Sequence, residues 1–213
     1  LLQQIISPKD ELRNSSLNLL SKIVSISDFP DILDHFTNIK QSSPEVATIP
    51  VLQILDNILD YGKLLRPRYS KIRDAVFEFI RTLTDQVLRE NSVEAQKEAA
   101  VSLLKSSFNS LYRYYRNPET SEWILNLLIH NFLIDNIRIH SLIYDIFFLL
   151  IYFFPEKSAP SIYELIINAI DQDFHSQNEN FKKIALLFFR KSFKRSNFKP
   201  FIKACTQKFV IDI

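Results

Sequence analysis

Residues 137 to 154 read Ile137-Arg-Ile-His-Ser-Leu-Ile-Tyr-Asp-Ile-Phe-Phe-Leu-Leu-Ile-Tyr-Phe-Phe154, and Pro155 follows. From Leu142 onward Asp145 is the only charge, so a helix here is apolar on nearly every side and has to lie within protein or lipid. The uninterrupted apolar run falls short of the roughly 18 residues of a membrane span, and Arg138, His140 and Asp145 interrupt any extension of it. The stretch therefore predicts a buried helix with other helices packed around it, and no membrane span.

Composition points the same way. At 213 residues the chain is long enough for a sizeable core, as one domain or as a continuous repeat array. Gly62 is its single glycine. Phosphate-cradling loops, dinucleotide fingerprints and hairpin turns all draw on glycine for positive φ or close backbone approach. Nucleotide-binding α/β folds and most β folds are disfavoured, and no cofactor is expected. A hydrophobic content of 46% with 23% charged residues describes a globular chain. No signal-peptide pattern is present, and Cys205 has no second cysteine to pair with, which fits a reducing interior, cytoplasmic or nuclear. Met is absent throughout, position 1 included, so the chain is expected to be a segment of a longer protein.

The net charge of +2 conceals a polarised distribution. Between Phe181 and Lys208 lie nine of the 26 basic residues and none of the 24 acidic ones, leaving 17 basic against 24 acidic elsewhere. The C-terminal end is basic and the body mildly acidic.

Punctuation along the chain predicts helices in succession. Ser7-Pro8 opens one to about Ser25, and Asp28 with Pro30 opens a shorter one to about Lys40. Ser43-Pro44-Glu45 starts a helix carrying Ile54, Leu55, Ile58 and Leu59, closed by Gly62. Pro67 starts a long one with Ile72, Val76, Phe79, Ile80, Leu83 and Val87 on one side. Ser92 is the expected cap of a helix to about Arg116, and Pro118 begins one to about Leu133. Asp135 is the expected cap of the opening stretch, Pro160 starts a helix to about Ile170, and Ser176 with Glu179 forms a capping box for one to about Lys194. Asn197 and Pro200 begin the last. No segment alternates with a period of two, so no strand is predicted.

These helices recur with a pattern. Leu12-Arg13-x-x-Ser16-Leu17, Gln96-Lys97-x-x-Ala100-Val101, Ile137-Arg138-x-x-Ser141-Leu142 and Phe181-Lys182-x-x-Ala185-Leu186 share a pattern: an apolar residue, with Gln96 the departure, then a basic one, and after two residues a small and an apolar one. Their starts are about 84, 41 and 44 residues apart, two periods and then one and one, with a decayed copy near Gln53 filling the gap. The pattern resembles the second helix of HEAT repeats, with Asp10, Glu11, Asp135, Asp173 and Glu179 in the preceding turns. That resemblance implies an all-α fold: a right-handed α-solenoid of HEAT/armadillo-like helical hairpins, about five repeats forming a single domain over residues 1–213. It also implies that the basic residue of each pattern ladders with turn carboxylates of neighbouring repeats. Gly62-Lys63-Leu64-Leu65, Arg68, Ile72-Arg73 and Phe79-Ile80 are further similar to a stretch of the HEAT-like regulatory subunits of protein phosphatase 2A, which would imply a regulatory-subunit role.

Chemistry is sparse. His35, His130, His140 and His175 form no pair at ligand spacing on one helix, and no nucleophile elbow or phosphate loop occurs. Asp145, alone in its apolar helix, is either part of a polar strip with Ser141 and Tyr152 or a partner-binding acid. Lys183, Arg190, Lys191 and Lys194 gather opposite Phe181, Ile184, Ala185, Phe188, Phe189 and Phe193, as a solvated face or as a surface for an acidic or phosphorylated ligand or nucleic acid. Leu111-Tyr112-Arg113-Tyr114-Tyr115-Arg116 interleaves rings with cations, as a helix end or as a base-stacking surface. Arg66, Arg68, Lys71 and Arg73 surround the turn at Pro67. Together these features lead to the expectation of a non-catalytic protein-protein interaction scaffold or adaptor. A helical-repeat protein binding nucleic acid through its basic end is the alternative.

Overall fold

The computed structural model describes residues 44–59, 70–89, 92–153 and 159–211, with isolated positions between 4 and 38. Every regular element among them is helical, as the glycine-poor composition predicts. The order is α1 (Pro44–Leu59), α2 (Ser70–Arg89), α3 (Glu94–Leu111), a 3-10 turn (Tyr114–Arg116), α4 (Pro118–Asn131), α5 (Ile137–Phe153), α6 (Ala159–His175), α7 (Glu179–Phe193), a second 3-10 turn (Ser196–Phe198) and α8 (Lys199–Ile211). The chain divides into two compact units, Leu1–Leu111 and Tyr112–Ile213. Gly62, Arg66, Pro67, Arg68, Phe154 and Pro155 lie outside the described residues.

In the first unit α3 packs against both α1 and α2. The predicted apolar row of α2 points inward through Val76, Ile80, Leu83 and Val87, and α1 buries Leu52, Leu55 and Leu59. Small residues on α3 make the approach to α1 close enough for hydrogen bonds: Ser102 donates to the Asp56 carboxylate at 2.8 Å, and Ser110 donates to the Leu59 carbonyl. The latter uses a carbonyl in the last turn of α1, one of the acceptors a helix end leaves without an intrahelical partner.

In the second unit, helices two apart in sequence pack on each other: α4 on α6, α6 on α8, and α5 on α7. Consecutive α6 and α7 also pack together. A chain of rings fills the interior. Tyr144 of α5 meets Phe147 edge-on at 5.9 Å and Phe188 of α7 at 5.3 Å, Phe188 meets Phe201 of α8 at 5.9 Å, and Phe201 meets Tyr163 of α6 at 5.5 Å. The edge-to-face arrangements suit the quadrupole of each ring. The opening stretch is buried as predicted, through Ile139, His140, Ile143, Tyr144, Ile146, Phe147, Leu150 and Ile151, while Ser141 and Tyr152 remain exposed along the strip that Asp145 shares.

α4 starts at Pro118 as predicted, while the caps of α5 and α7 differ from the expected ones. Asn117 caps α4 ahead of Pro118. α5 is capped by Asn136, whose Oδ1 accepts from the N–H groups of Arg138 and Ile139 at 2.9 and 3.2 Å; Asp135 instead accepts from Asn178 Nδ2 at 3.4 Å. α7 is capped by Asn178, whose Oδ1 accepts from the Asn180 N–H at 3.0 Å, and no Ser176–Glu179 box forms. Ser176 Oγ accepts from the Asn178 N–H, and Glu179 pairs with Lys182 at 2.8 Å. In both cases the residue directly before the helix wins, because the cap must reach back to an N–H two or three positions on. α3 starts at Glu94, with the Val93 carbonyl accepting the first bonds, rather than at a Ser92 cap, and stops at Leu111.

The repeat pattern is also displaced. Ala100 and Val101 in α3 and Phe181 and Ala185 in α7 are buried, but Ile137 and Ser141 in α5 are exposed, as are Leu12 and Leu186. In α5 almost every side is apolar, so the pattern does not select its inward row. Tyr144 and Phe147 do, by filling the interior. Of the basic residues expected to ladder with neighbouring turns, Lys182 pairs within its own helix with Glu179, and the carboxylate of Asp173 takes His140 and Tyr144.

Candidate functional site

The exposed face of α7 carries a mixed surface. Phe181, Ala185, Phe188 and Ser192 form its buried row. Opposite them, Lys183, Leu187, Arg190 and Lys194 recur at i, i+4, i+7 and i+11 and share one exposed stripe. Leu186 and Phe193 flank that stripe on one side. Their exposures of 56% and 66%, with 55% for Leu187, are high for side chains of this size. Phe193, predicted to join the inner row, lies outside the core: Phe189 occupies the boundary by stacking on Phe174 of α6 at 5.7 Å, and the Phe193 ring lies 6.5 Å from that of Phe189.

Two of the candidate residues meet. Lys191 Nζ lies 3.4 Å from Asp145 Oδ1 on α5, on the flank away from Leu186 and Phe193. Both side chains are partly in water, at 63% and 32% exposure, so the pair contributes at most about 1 kcal/mol. Asp145 thus has an intramolecular cation, and the pair ties the edges of α5 and α7.

Arg66 and Arg68 lie outside the described residues. Arg73 is half-buried in α2, with Nε buried and without a hydrogen-bond partner among the described residues. The run from Leu111 to Arg116 is a helix end followed by a 3-10 turn, with its rings used internally: Tyr115 is buried, Tyr112 stacks on Phe153 at 5.3 Å, and Arg116 lies over the Tyr112 ring at 5.3 Å.

A buried polar group that spacing alone did not reveal joins α5 to α6. His140 and Asp173 are each 2% exposed. His140 Nδ1 lies 3.4 Å from Asp173 Oδ2, its Nε2 lies 3.0 Å from the Ile134 carbonyl, and the Tyr144 hydroxyl donates to Asp173 Oδ2 at 2.8 Å. The imidazole ring is held between Phe132 and Phe181, at 4.2 and 4.0 Å. Burial, and then the Asp173 carboxylate, push the Tyr144 hydroxyl well above the usual tyrosine range. The i, i+4 pair of His140 and Tyr144 was the available signal, and its acid lies on another helix.

A cavity of about 280 Å³ opens over this group between the α4–α5 and α6–α7 connections, with Phe132, Asp135, Gln172 and Phe181 in its walls. Its floor spends its hydrogen bonds on itself and on the Ile134 carbonyl. Among the described residues no cluster of three metal-ligating side chains forms, and no helix is long and apolar enough to cross a membrane. Set against known proteins, the chain matches no family model and no curated protein.

Proposed function

We propose that this chain is a non-catalytic interaction module, a HEAT-like α-solenoid segment that holds a protein partner along its second helices. The observation that carries the reading is the alternate packing in the second unit, where α4, α6 and α8 contact in succession and α5 contacts α7. Stacked helical hairpins bury their faces in this way, each against its neighbours. Such stacking leaves one side of each second helix uncovered. On α7 that side exposes leucines and a phenylalanine beside cations. The buried polar group fits a structural role, since its members bond to one another across the α5–α6 boundary.

The basic C-terminal end favours a second reading, in which the module binds nucleic acid through Lys183, Arg190, Lys191 and Lys194. Affinity capture from extract, with and without nuclease, separates the two. Partners that stay bound after nuclease treatment support the protein-scaffold reading. Loss of every partner with nuclease, together with direct salt-sensitive RNA or DNA binding by the purified chain, overturns it.

A further inference from the structure

We infer that the exposed face of α7 docks an acidic amphipathic helix of a partner protein. This rests on the interaction reading above and assigns the partner's chemistry. Lys183, Arg190 and Lys194 run along the centre of the exposed stripe, and no Asp or Glu occurs from Phe181 to Lys208 to neutralise them. Glu179, at the start of the helix, pairs with Lys182 and lies within the field of Lys183, so Arg190 and Lys194, further along, set the positive field of the face. A field of one sign calls for the opposite sign in the partner.

Charge does not account for the whole face. Leu186, Leu187 and Phe193 are each more than half exposed and sit between and beside the cations. A nucleic acid can stack a base on Phe193 but gains nothing from covering Leu186 and Leu187, which offer no ring. A bilayer surface takes a helix whose apolar residues form one sector and whose cations form another; here Arg190 and Lys194 lie between Leu187 on one side and Leu186 with Phe193 on the other. The surface that covers both kinds of group is a protein helix with apolar anchors framed by carboxylates. The stripe from Lys183 to Lys194 spans about 16 Å, three turns, which matches a short helix laid along it. Lys191, already held by Asp145, marks the edge on the α5 side.

The test is an unbiased selection on the full chain. A display library of random peptides long enough for about four helical turns is panned on the protein, and selected peptides are titrated by fluorescence anisotropy. The expected peptides are net negative, with Leu, Ile or Phe at helical spacing. Their affinity is expected to fall about tenfold or more for Lys183→Glu/Arg190→Glu/Lys194→Glu and for Leu186→Ser/Leu187→Ser, and to weaken with added salt. Every substituted side chain is exposed, and an unchanged far-UV circular dichroism spectrum checks that each variant folds. Peptides that are neutral or basic, or that bind both variants as well as the parent, overturn the α7 assignment and leave the protein-interaction reading standing. An empty selection overturns the assignment as well. An empty selection accompanied by lysine-dependent binding of an RNA oligonucleotide or of phosphatidylserine vesicles overturns both.

Discussion

His140 of α5 and Asp173 of α6 meet at 3.4 Å, each almost wholly out of water, and Tyr144 completes the contact from one turn further along α5. A carboxylate in such a place is tolerated because both donors point at the same oxygen and aromatic rings close the site around them. The cluster joins α5 to α6 where an apolar contact would be less selective about rotation and register.

Removing the acid leaves two buried donors facing nothing. Asp173→Ala is expected to cost about 3–5 kcal/mol, and Asp173→Asn less, since an amide still accepts the Tyr144 hydroxyl. Urea denaturation followed by tryptophan fluorescence measures both. A loss below about 1 kcal/mol for Asp173→Ala would show that the group does not hold α5 to α6.

Tyr144 sets a pH dependence. Its folded-state hydroxyl is raised by burial and by Asp173, so the native protein holds that proton more tightly than the unfolded chain. The resulting stability is whole below about pH 10 and is lost as the pH climbs beyond it. Tyr144→Phe is expected to cost about 1 kcal/mol at pH 7 and to flatten the loss between about pH 9 and 11, read from urea midpoints of the two proteins.

Cys205 follows the same sign. Burial pushes its thiol up to about 12, so little thiolate is present in the native state at mild pH. Alkylation by iodoacetamide at about pH 8 is expected to be slow when folded and fast in urea, and mass spectrometry reads the two rates.

The helix caps can be separated by paired substitutions. Asn136→Ala is expected to cost about 1 kcal/mol, because its Oδ1 serves two N–H groups of α5, and Asp135→Ala less than about 0.5 kcal/mol. Equal losses would return the cap to Asp135. Within α5, Phe147→Ala is expected to cost about 3–5 kcal/mol and Tyr152→Ala about 0.5 or less, a contrast set by burial on opposite sides of one helix.

Helix positions were readable because their signals are local. Pro118 and the apolar rows of α2 and α7 act within a few residues, and apolar density over residues 137–153 predicts burial wherever the chain goes. Two local rules misled where neighbours competed: Asp135 against Asn136, and Ser176 against Asn178, both decided by reach to the first free N–H groups. Phe193 looked like core because a wheel records an angle and not which residue meets the neighbouring helix, a contact that Phe189 makes with Phe174.

Lys183, Arg190, Lys191 and Lys194 were visible as one basic face from their order in the chain, and so was the all-helical character that a single glycine imposes. Their pairing with Leu186, Leu187 and Phe193 on an uncovered surface, the tie from Lys191 to Asp145, and the burial of Asp173 against His140 and Tyr144 depend on how α5, α6 and α7 pack. Asp173 lies 33 residues from His140 and 29 from Tyr144. At that separation no backbone period relates the three, so their meeting is fixed by which rows of which helices fill the same interior.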